Sequence, residues 1–161
     1  MKKLLVSLSL ALTLVGTASP AMAATGPQRF IVVFRGTTGP VFATGVVNGA
    51  GQVSNVVPEV LDPEAGTFFE TDRLTFPEGT IDVLFEGRVS GFFPDPMTCV
   101  ARPSGSGTWT VVGGSGAYED ASGGGTFTFP AVLVFPRTAN GCGEEPILML
   151  AFVTAEGTIS V

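Results

Sequence analysis

The sequence predicts an all-β domain, either an antiparallel barrel or a β-sandwich. Roughly eight or nine short runs rich in β-branched and aromatic residues recur along the chain, separated about every 8–12 residues by turns that contain Gly or Pro. Beyond residue 23, no stretch has the period of an amphipathic helix. Hydrophobic residues make up 45% of the chain and charged residues 14%. Most apolar side chains must therefore be buried in a core, a lumen or a subunit contact.

Residues 1–23 are predicted to be a secretory signal peptide. Two lysines precede the apolar run 4–15, and a small-residue cleavage site ends at Ala23. A membrane anchor is the alternative, but the apolar run is shorter than the roughly 20 residues that a span needs. The sequence thus predicts a secreted or periplasmic domain, residues 24–161, with no membrane span in the mature chain.

Five strands are predicted in the first half of the mature chain: 29–35, 41–48, 52–57, 67–76 and 80–89. The first is an unbroken apolar run between two arginines, which favours a strand buried on both faces. Along 67–76, alternation places Phe68, Glu70, Asp72 and Leu74 on one face. The stretch 58–66 holds two prolines and three acidic residues, so it is predicted to be a surface loop.

Four strands are predicted in the second half: 108–112, 126–135, 147–154 and 158–161. The stretch 103–107 is expected to be a turn, and Glu156-Gly157 is expected to separate the last two strands. Pro130 lies inside the run 126–135. Because proline has no amide hydrogen for the ladder, it predicts an edge, a bulge or a break at this point.

The two cysteines are predicted to form one intramolecular disulfide. Cys99 lies in the short segment 97–102 and Cys142 in the loop 136–146, and the chain has no other cysteine. Two cysteines in an exported chain most often pair with each other; two free thiols and a bond between subunits are the alternatives. Closing this loop would stabilise the fold by about 4 kcal/mol in the chain-entropy model.

The most distinctive stretch is 107–129, where two β-rich runs flank a predicted turn around Tyr118. The predicted turn contains six glycines: Gly113, Gly114, Gly116, Gly123, Gly124 and Gly125. A strand that ends in Gly-Gly, then Ser-Gly-Ala-Tyr, then a small-residue link into Gly-Gly-Gly-Thr-Phe-Thr, resembles the hallmark of the allene-oxide-cyclase and dirigent-like barrel superfamily. It is most similar to the small secreted bacterial members. The resemblance implies an eight-stranded antiparallel barrel with an apolar lumen, often assembled into oligomers, and makes the sandwich the alternative. It implies no activity and no catalytic residues.

Missing residue types exclude several kinds of chemistry. The chain has no histidine, and its only lysines are Lys2 and Lys3 in the predicted signal peptide. A Ser-His-Asp triad, a Ser-Lys dyad, Schiff-base chemistry and a histidine metal site are therefore excluded from the mature domain. We expect no cofactor and no metal. The net charge of −6 becomes more negative when the two lysines are removed, which argues against nucleic acid as a partner.

Carboxylates are the remaining acid–base candidates. Pairs close in sequence, such as Glu70 and Asp72, have the residue types for glycoside hydrolysis or calcium binding. The simpler interpretation, which we adopt from the sequence, is a solvated and solubilising face.

Four residues are candidates for contact with a ligand: Tyr118, Trp109, Arg88 and Glu86. Tyr118 either donates a hydrogen bond to a ligand in the lumen or plugs one end of the barrel. Trp109 either lines a pocket or packs in the core. Glu86 and Arg88 share one face of their strand. If that face points inward, they are a polar anchor in an apolar cavity; if it points outward, they are a surface pair.

These observations favour a secreted β-barrel without catalytic activity. It would bind a small apolar molecule in its lumen or assemble as a homo-oligomer. An isomerase or cyclase of the allene-oxide-cyclase kind is the second hypothesis, because a shaped apolar lumen can guide a reactive substrate with few ionisable groups. A structural or adhesive surface protein is the third.

Overall fold

The structure, a computed structural model, describes residues 24–62 and 64–161. The predicted signal peptide, 1–23, lies outside the described residues. Every regular element in the described part of the chain is a β-strand, as the sequence predicts. In chain order, the strands are β1 (Thr25–Arg35), β2 (Thr38–Gly45), β3 (Gly49–Asp62), β4 (Thr67–Phe76), β5 (Gly79–Ser90), β6 (Val100–Ala101), β7 (Ser104–Gly116), β8 (Ser122–Val134), β9 (Arg137–Thr138), β10 (Gly141–Cys142) and β11 (Leu148–Ser160).

The eight long strands close into one antiparallel barrel, which confirms the barrel rather than the sandwich. Neighbours in the ring follow the order β1, β2, β3, β4, β5, β7, β8, β11. Strand β11 closes the ring because it pairs with β1 on one side and β8 on the other. Each strand of the ring thus has two hydrogen-bonded neighbours, and the ring has no free edge.

The short strands lie outside the ring, at one end of the barrel. Strand β6 pairs with the last residues of β8 in the same register as β7 does. It therefore lies in line with β7 along β8, outside the ring. Strands β9 and β10 form a small hairpin that carries Cys142. The predicted Cys99–Cys142 disulfide is confirmed, with 5.3 Å between the two Cα atoms. It joins the hairpin to the segment just before β6.

The two ends of the barrel differ. At the end that we call the closed end, short turns join β2 to β3, β4 to β5 and β7 to β8. The opposite, open end carries the β1–β2 turn, the β3–β4 turn and the two long connections, 91–103 and 135–147. The middle of the barrel is filled by large side chains, of which Trp109 is fully buried and packs edge-on against Phe30.

Three boundary predictions are wrong, and all three assign breaks where the structure has strand. Strand β3 continues through most of the predicted loop 58–66 and is irregular between Asn55 and Val60. Strand β7 begins inside the predicted turn 103–107. Strand β11 runs without interruption through Glu156-Gly157. Pairing on both sides in a closed ring stabilises extended backbone that local sequence does not favour.

Two other sequence features have clear structural explanations. The β8–β11 ladder lacks pairs at Phe129 and Pro130, which is the break that the proline predicts. The six motif glycines lie on β7 and β8 rather than in the turn between them. A Cβ atom on Gly125 would lie 2.0 Å from the carbonyl oxygen of Glu156 on β11. Glycine at this position therefore allows the backbones of β8 and β11 to approach closely.

Candidate ligand-binding cavity

A cavity of about 260 Å³ opens at the open end of the barrel. Six phenylalanines line it: Phe34, Phe68, Phe85, Phe92, Phe127 and Phe129. Several of these rings pack edge-on against one another, with centroids 5.1 Å apart for Phe85 and Phe127 and 5.8 Å apart for Phe68 and Phe129. The wall is therefore an interlocked aromatic surface, as in many small-molecule sites.

Small side chains explain why the barrel is open here and filled elsewhere. Alternation along β8 and β11 turns Ala131 and Ala151 toward the interior, and the two are direct partners in the ladder. Because these two neighbouring side chains are only methyl groups, they leave a space in the interior that larger residues would fill. Nearer the closed end, the inward positions of β8 and β11 carry the larger side chains Phe127 and Val153, which are buried and border the cavity.

A polar cluster borders the cavity and consists of Asn55 on β3 with Glu70 and Asp72 on β4. Asn55 is the ladder partner of Asp72. Its side-chain amide donates to Oδ1 of Asp72 at 3.2 Å and to Oε2 of Glu70 at 3.4 Å. Asn55 and Glu70 line the cavity, and Asp72 lies one inward position closer to the closed end. One amide thus bridges two carboxyl groups, and we call these three residues the acid cluster.

Asp72 is the most deeply buried member of the acid cluster. Its exposed fraction is 1%, and its Oδ2 atom has no hydrogen-bond partner among residues 24–62 and 64–161. Its ladder neighbour on β5 is Val83, and the neighbour of Glu70 is Phe85. Both carboxyl groups therefore lie beside apolar side chains that cannot stabilise a negative charge.

This environment raises the pKa of both carboxyl groups. Burial raises the pKa of Glu70 to about 8, and the nearby charges of Asp72 and Glu59 add to the effect. Burial also raises the pKa of Asp72 to about 7, although the hydrogen bond from Asn55 acts in the opposite direction. Glu59 lines the mouth of the cavity, and burial of its carboxyl group raises its pKa too. Near neutral pH, the acid cluster therefore retains at least part of its protons.

The acid cluster overturns the interpretation of Glu70 and Asp72 as a solvated face. Sequence alternation correctly groups them with Phe68 and Leu74, but that whole face points into the barrel, since Phe68, Asp72 and Leu74 are all buried. The apolar companions Phe68 and Leu74 were the only sequence signal for an inward face, and Phe69 on the opposite face kept that signal from being decisive.

The four ligand candidates from the sequence lie elsewhere, and none lines the cavity. Trp109 packs in the core, where its Nε1 donates to the carbonyl oxygen of Glu156 at 3.2 Å. Tyr118 is buried at the closed end and packs edge-on against Phe76, and burial raises its pKa. Glu86 and Arg88 are exposed on the outer face of β5, and no ion pair in the described part of the chain joins them.

Within the described residues, no group of three or more His, Cys, Asp or Glu side chains is arranged to hold a metal ion. In the same part of the chain, no helix has the length and hydrophobicity needed to cross a membrane. The outer face does carry exposed apolar side chains, among them Phe42, Leu150 and Phe152. Such side chains occur at subunit contacts, and the expected homo-oligomer stays a prediction.

No family model matches the chain, and neither a curated protein nor a solved structure matches it. The resemblance of residues 107–129 to the allene-oxide-cyclase and dirigent-like superfamily therefore stays a prediction.

Proposed function

We propose that the protein is a secreted or periplasmic binding protein that holds a small, largely apolar molecule in the cavity at the open end of its barrel. One observation carries the proposal: an apolar, aromatic cavity is bordered by a buried polar cluster. In small-molecule sites, apolar walls supply affinity and a few placed polar groups fix orientation. The disulfide is consistent with an oxidising compartment outside the cytoplasm.

The volume of the cavity limits the size of the ligand. Typical ligand pockets measure about 300–1,000 Å³, and this cavity lies near the lower limit at about 260 Å³. The cavity thus favours a molecule of one ring or a short chain over a long lipid.

A cavity-filling substitution tests the proposal. Ala151→Phe places a ring inside the cavity, next to Ala131. We expect this variant to bind an environment-sensitive apolar dye at least tenfold more weakly. Thr128→Phe adds the same ring on the outer face of β8, where Thr128 is exposed, and serves as the matched control. Fluorescence titration of the oxidised mature protein measures both affinities. Equal dye affinity in the two variants would contradict a site in the cavity.

Chemical conversion of the ligand is a second candidate function. It is favoured by the pKa values of Glu70 and Asp72, about 8 and about 7, because a group that titrates near neutral pH can both donate and accept a proton. Chromatography of a ligand recovered after incubation distinguishes the two candidates. A binding protein returns the ligand unchanged, whereas an isomerase returns an isomer that Glu70→Gln no longer forms.

A further inference from the structure

We propose that the ligand of this cavity is a lipophilic amine, whose ammonium group binds at the acid cluster while its apolar part lies among the phenylalanine rings. This inference rests on the proposed function and names the chemical class of its ligand. The ammonium group corresponds to the acid cluster and the apolar part corresponds to the phenylalanine rings, and both features belong to the same cavity. An acid cluster on an open surface would have no such apolar walls beside it.

No cationic side chain among residues 24–62 and 64–161 lines the cavity that holds the acid cluster. The mature chain has six arginines and no lysine or histidine. All six arginines are exposed, and none lines the cavity. The two ion pairs among the described residues, Arg29–Glu156 and Arg73–Asp82, lie on the outer face. The described part of the chain thus supplies no counter-charge to the acid cluster, and a bound ligand can supply one.

The acid cluster is built for a hydrogen-bond donor. Asp72 is 1% exposed, it lies on the inward face of β4, and its Oδ2 has no partner in the described part of the chain. Asn55 uses one amide nitrogen for both carboxyl groups, at 3.2 and 3.4 Å, so acceptor capacity remains on Glu70 as well. An ammonium group carries three donors and no acceptor. It can reach Glu70 from the cavity and bring a positive charge close to Asp72 beneath it.

The walls and the mouth of the cavity also favour an organic cation. The faces of phenylalanine rings attract cations, especially where water is excluded, and the rings of Phe68, Phe85 and Phe127 lie close to one another in the wall. Glu59 places a further carboxyl group at the mouth. These carboxyl groups disfavour a ligand that carries a carboxylate, because like charges would meet in a poorly hydrated site.

The proposal predicts a defined pH dependence. The titratable groups that face the site are Glu59 from β3 and Glu70 and Asp72 from β4, while β5 presents Val83 and Phe85. An ammonium group favours the ionised carboxylates, so binding of the amine releases protons while Glu70 and Asp72 are still protonated. Affinity for an amine should therefore rise as pH increases from about 6 to about 8.5, and affinity for a neutral analogue should not.

Three probes of the same shape test the proposal: 4-phenylbutylamine, 4-phenylbutan-1-ol and 4-phenylbutyrate. Each is titrated calorimetrically into the oxidised mature protein at pH 6 and pH 8.5. We expect the amine to bind about tenfold more tightly than the alcohol at pH 8.5, with the butyrate weakest. Glu70→Gln should abolish the preference for the amine, so that the amine and the alcohol bind this variant with similar affinity. Glu86→Gln, which removes an exposed charge from the outer face of β5, should retain the preference.

Each remaining outcome has a defined meaning. Alcohol binding that equals or exceeds amine binding at pH 8.5 overturns the amine inference and leaves the cavity proposal standing. So does a preference for the amine that persists in Glu70→Gln. If Glu70→Gln does not fold, the wild-type pH profile decides, because amine affinity that is flat between pH 6 and pH 8.5 also overturns the inference. Failure of all three probes to bind overturns both the inference and the proposed function.

Discussion

A buried carboxyl group next to apolar side chains destabilises a folded protein once it ionises, and Asp72 is such a group. Its neighbours are the amide of Asn55, the carboxyl group of Glu70 and the side chain of Val83. None of them carries a positive charge. A protein that required only stability would gain from an apolar residue here, so the acid cluster is best explained by function.

The acid cluster predicts that stability falls as pH rises. In the unfolded chain, Glu70 and Asp72 titrate near 4.5 and 3.8, but in the folded protein they titrate near 8 and 7. Between those values the folded state binds more protons than the unfolded state. The stability that these groups contribute is therefore complete below about pH 4 and is lost as pH rises through about 7 and 8.

Urea unfolding at pH 4.5 and pH 8.5 measures this effect. Between these two values, we expect the free energy of unfolding of the wild type to fall by roughly 3 kcal/mol more than that of Asp72→Asn. Glu86→Gln, an exposed position on β5, should behave like the wild type. An identical pH dependence in Asp72→Asn and the wild type would show that Asp72 titrates normally.

The sequence could not determine which way the acid cluster points. Along β4, one face carries Phe68, Glu70, Asp72 and Leu74, so half of these residues are polar and half are apolar. The opposite face carries Phe69 together with Arg73, and Phe69 is 45% exposed. Neither face is clearly hydrophobic, and only closure of the ring decides which one is inside.

At the scale of the element, β3 shows why strand boundaries were harder to predict than strands. Its ladder with β4 shifts register between Asn55 and Val57 and again between Val57 and Val60. These irregularities place Pro58 and Glu59 at the mouth of the cavity while the strand continues. The local composition is that of a loop, and pairing with β4 maintains the strand.

The disulfide belongs to the elements that form the open end. Cys99 and Ala101 pack with Leu133 and Phe135 in a small cluster of their own. Phe92 and Met149 pack against this cluster and also line the cavity. The disulfide therefore supports one side of the cavity wall.

Removal of the disulfide should lower the local stability of the open end more than that of the barrel centre. For the double variant Cys99→Ala/Cys142→Ala, we expect a loss of about 2–4 kcal/mol in the free energy of unfolding and weaker binding of the apolar dye. Hydrogen exchange should accelerate in 91–103 and 135–147, while Trp109 and its neighbours at the centre of the barrel remain protected. Unchanged dye binding in a folded double variant would show that the disulfide does not shape the cavity.

At the scale of the whole molecule, the all-β class and the disulfide pairing could be predicted from the residues, whereas only the resemblance of residues 107–129 favoured a barrel over a sandwich. Turn spacing and β-rich runs specify an all-β chain, and two cysteines in a chain predicted to be exported leave few alternatives. The cavity could not be predicted in the same way. It exists because Ala131 and Ala151 become ladder partners, and that register follows from closure of the whole ring.

The measurement that tests the central claim most directly is the position of a bound apolar probe. Methyl chemical shifts of the labelled mature protein can be recorded by NMR during titration with 4-phenylbutan-1-ol. We expect the largest changes at Met149, Ala131 and Ala151, which line the cavity, and little change at Val47 or Ile159, which are buried in the core. Changes concentrated at Leu148 and Leu150 on the outer face of β11 instead would place the ligand outside the barrel and contradict the account.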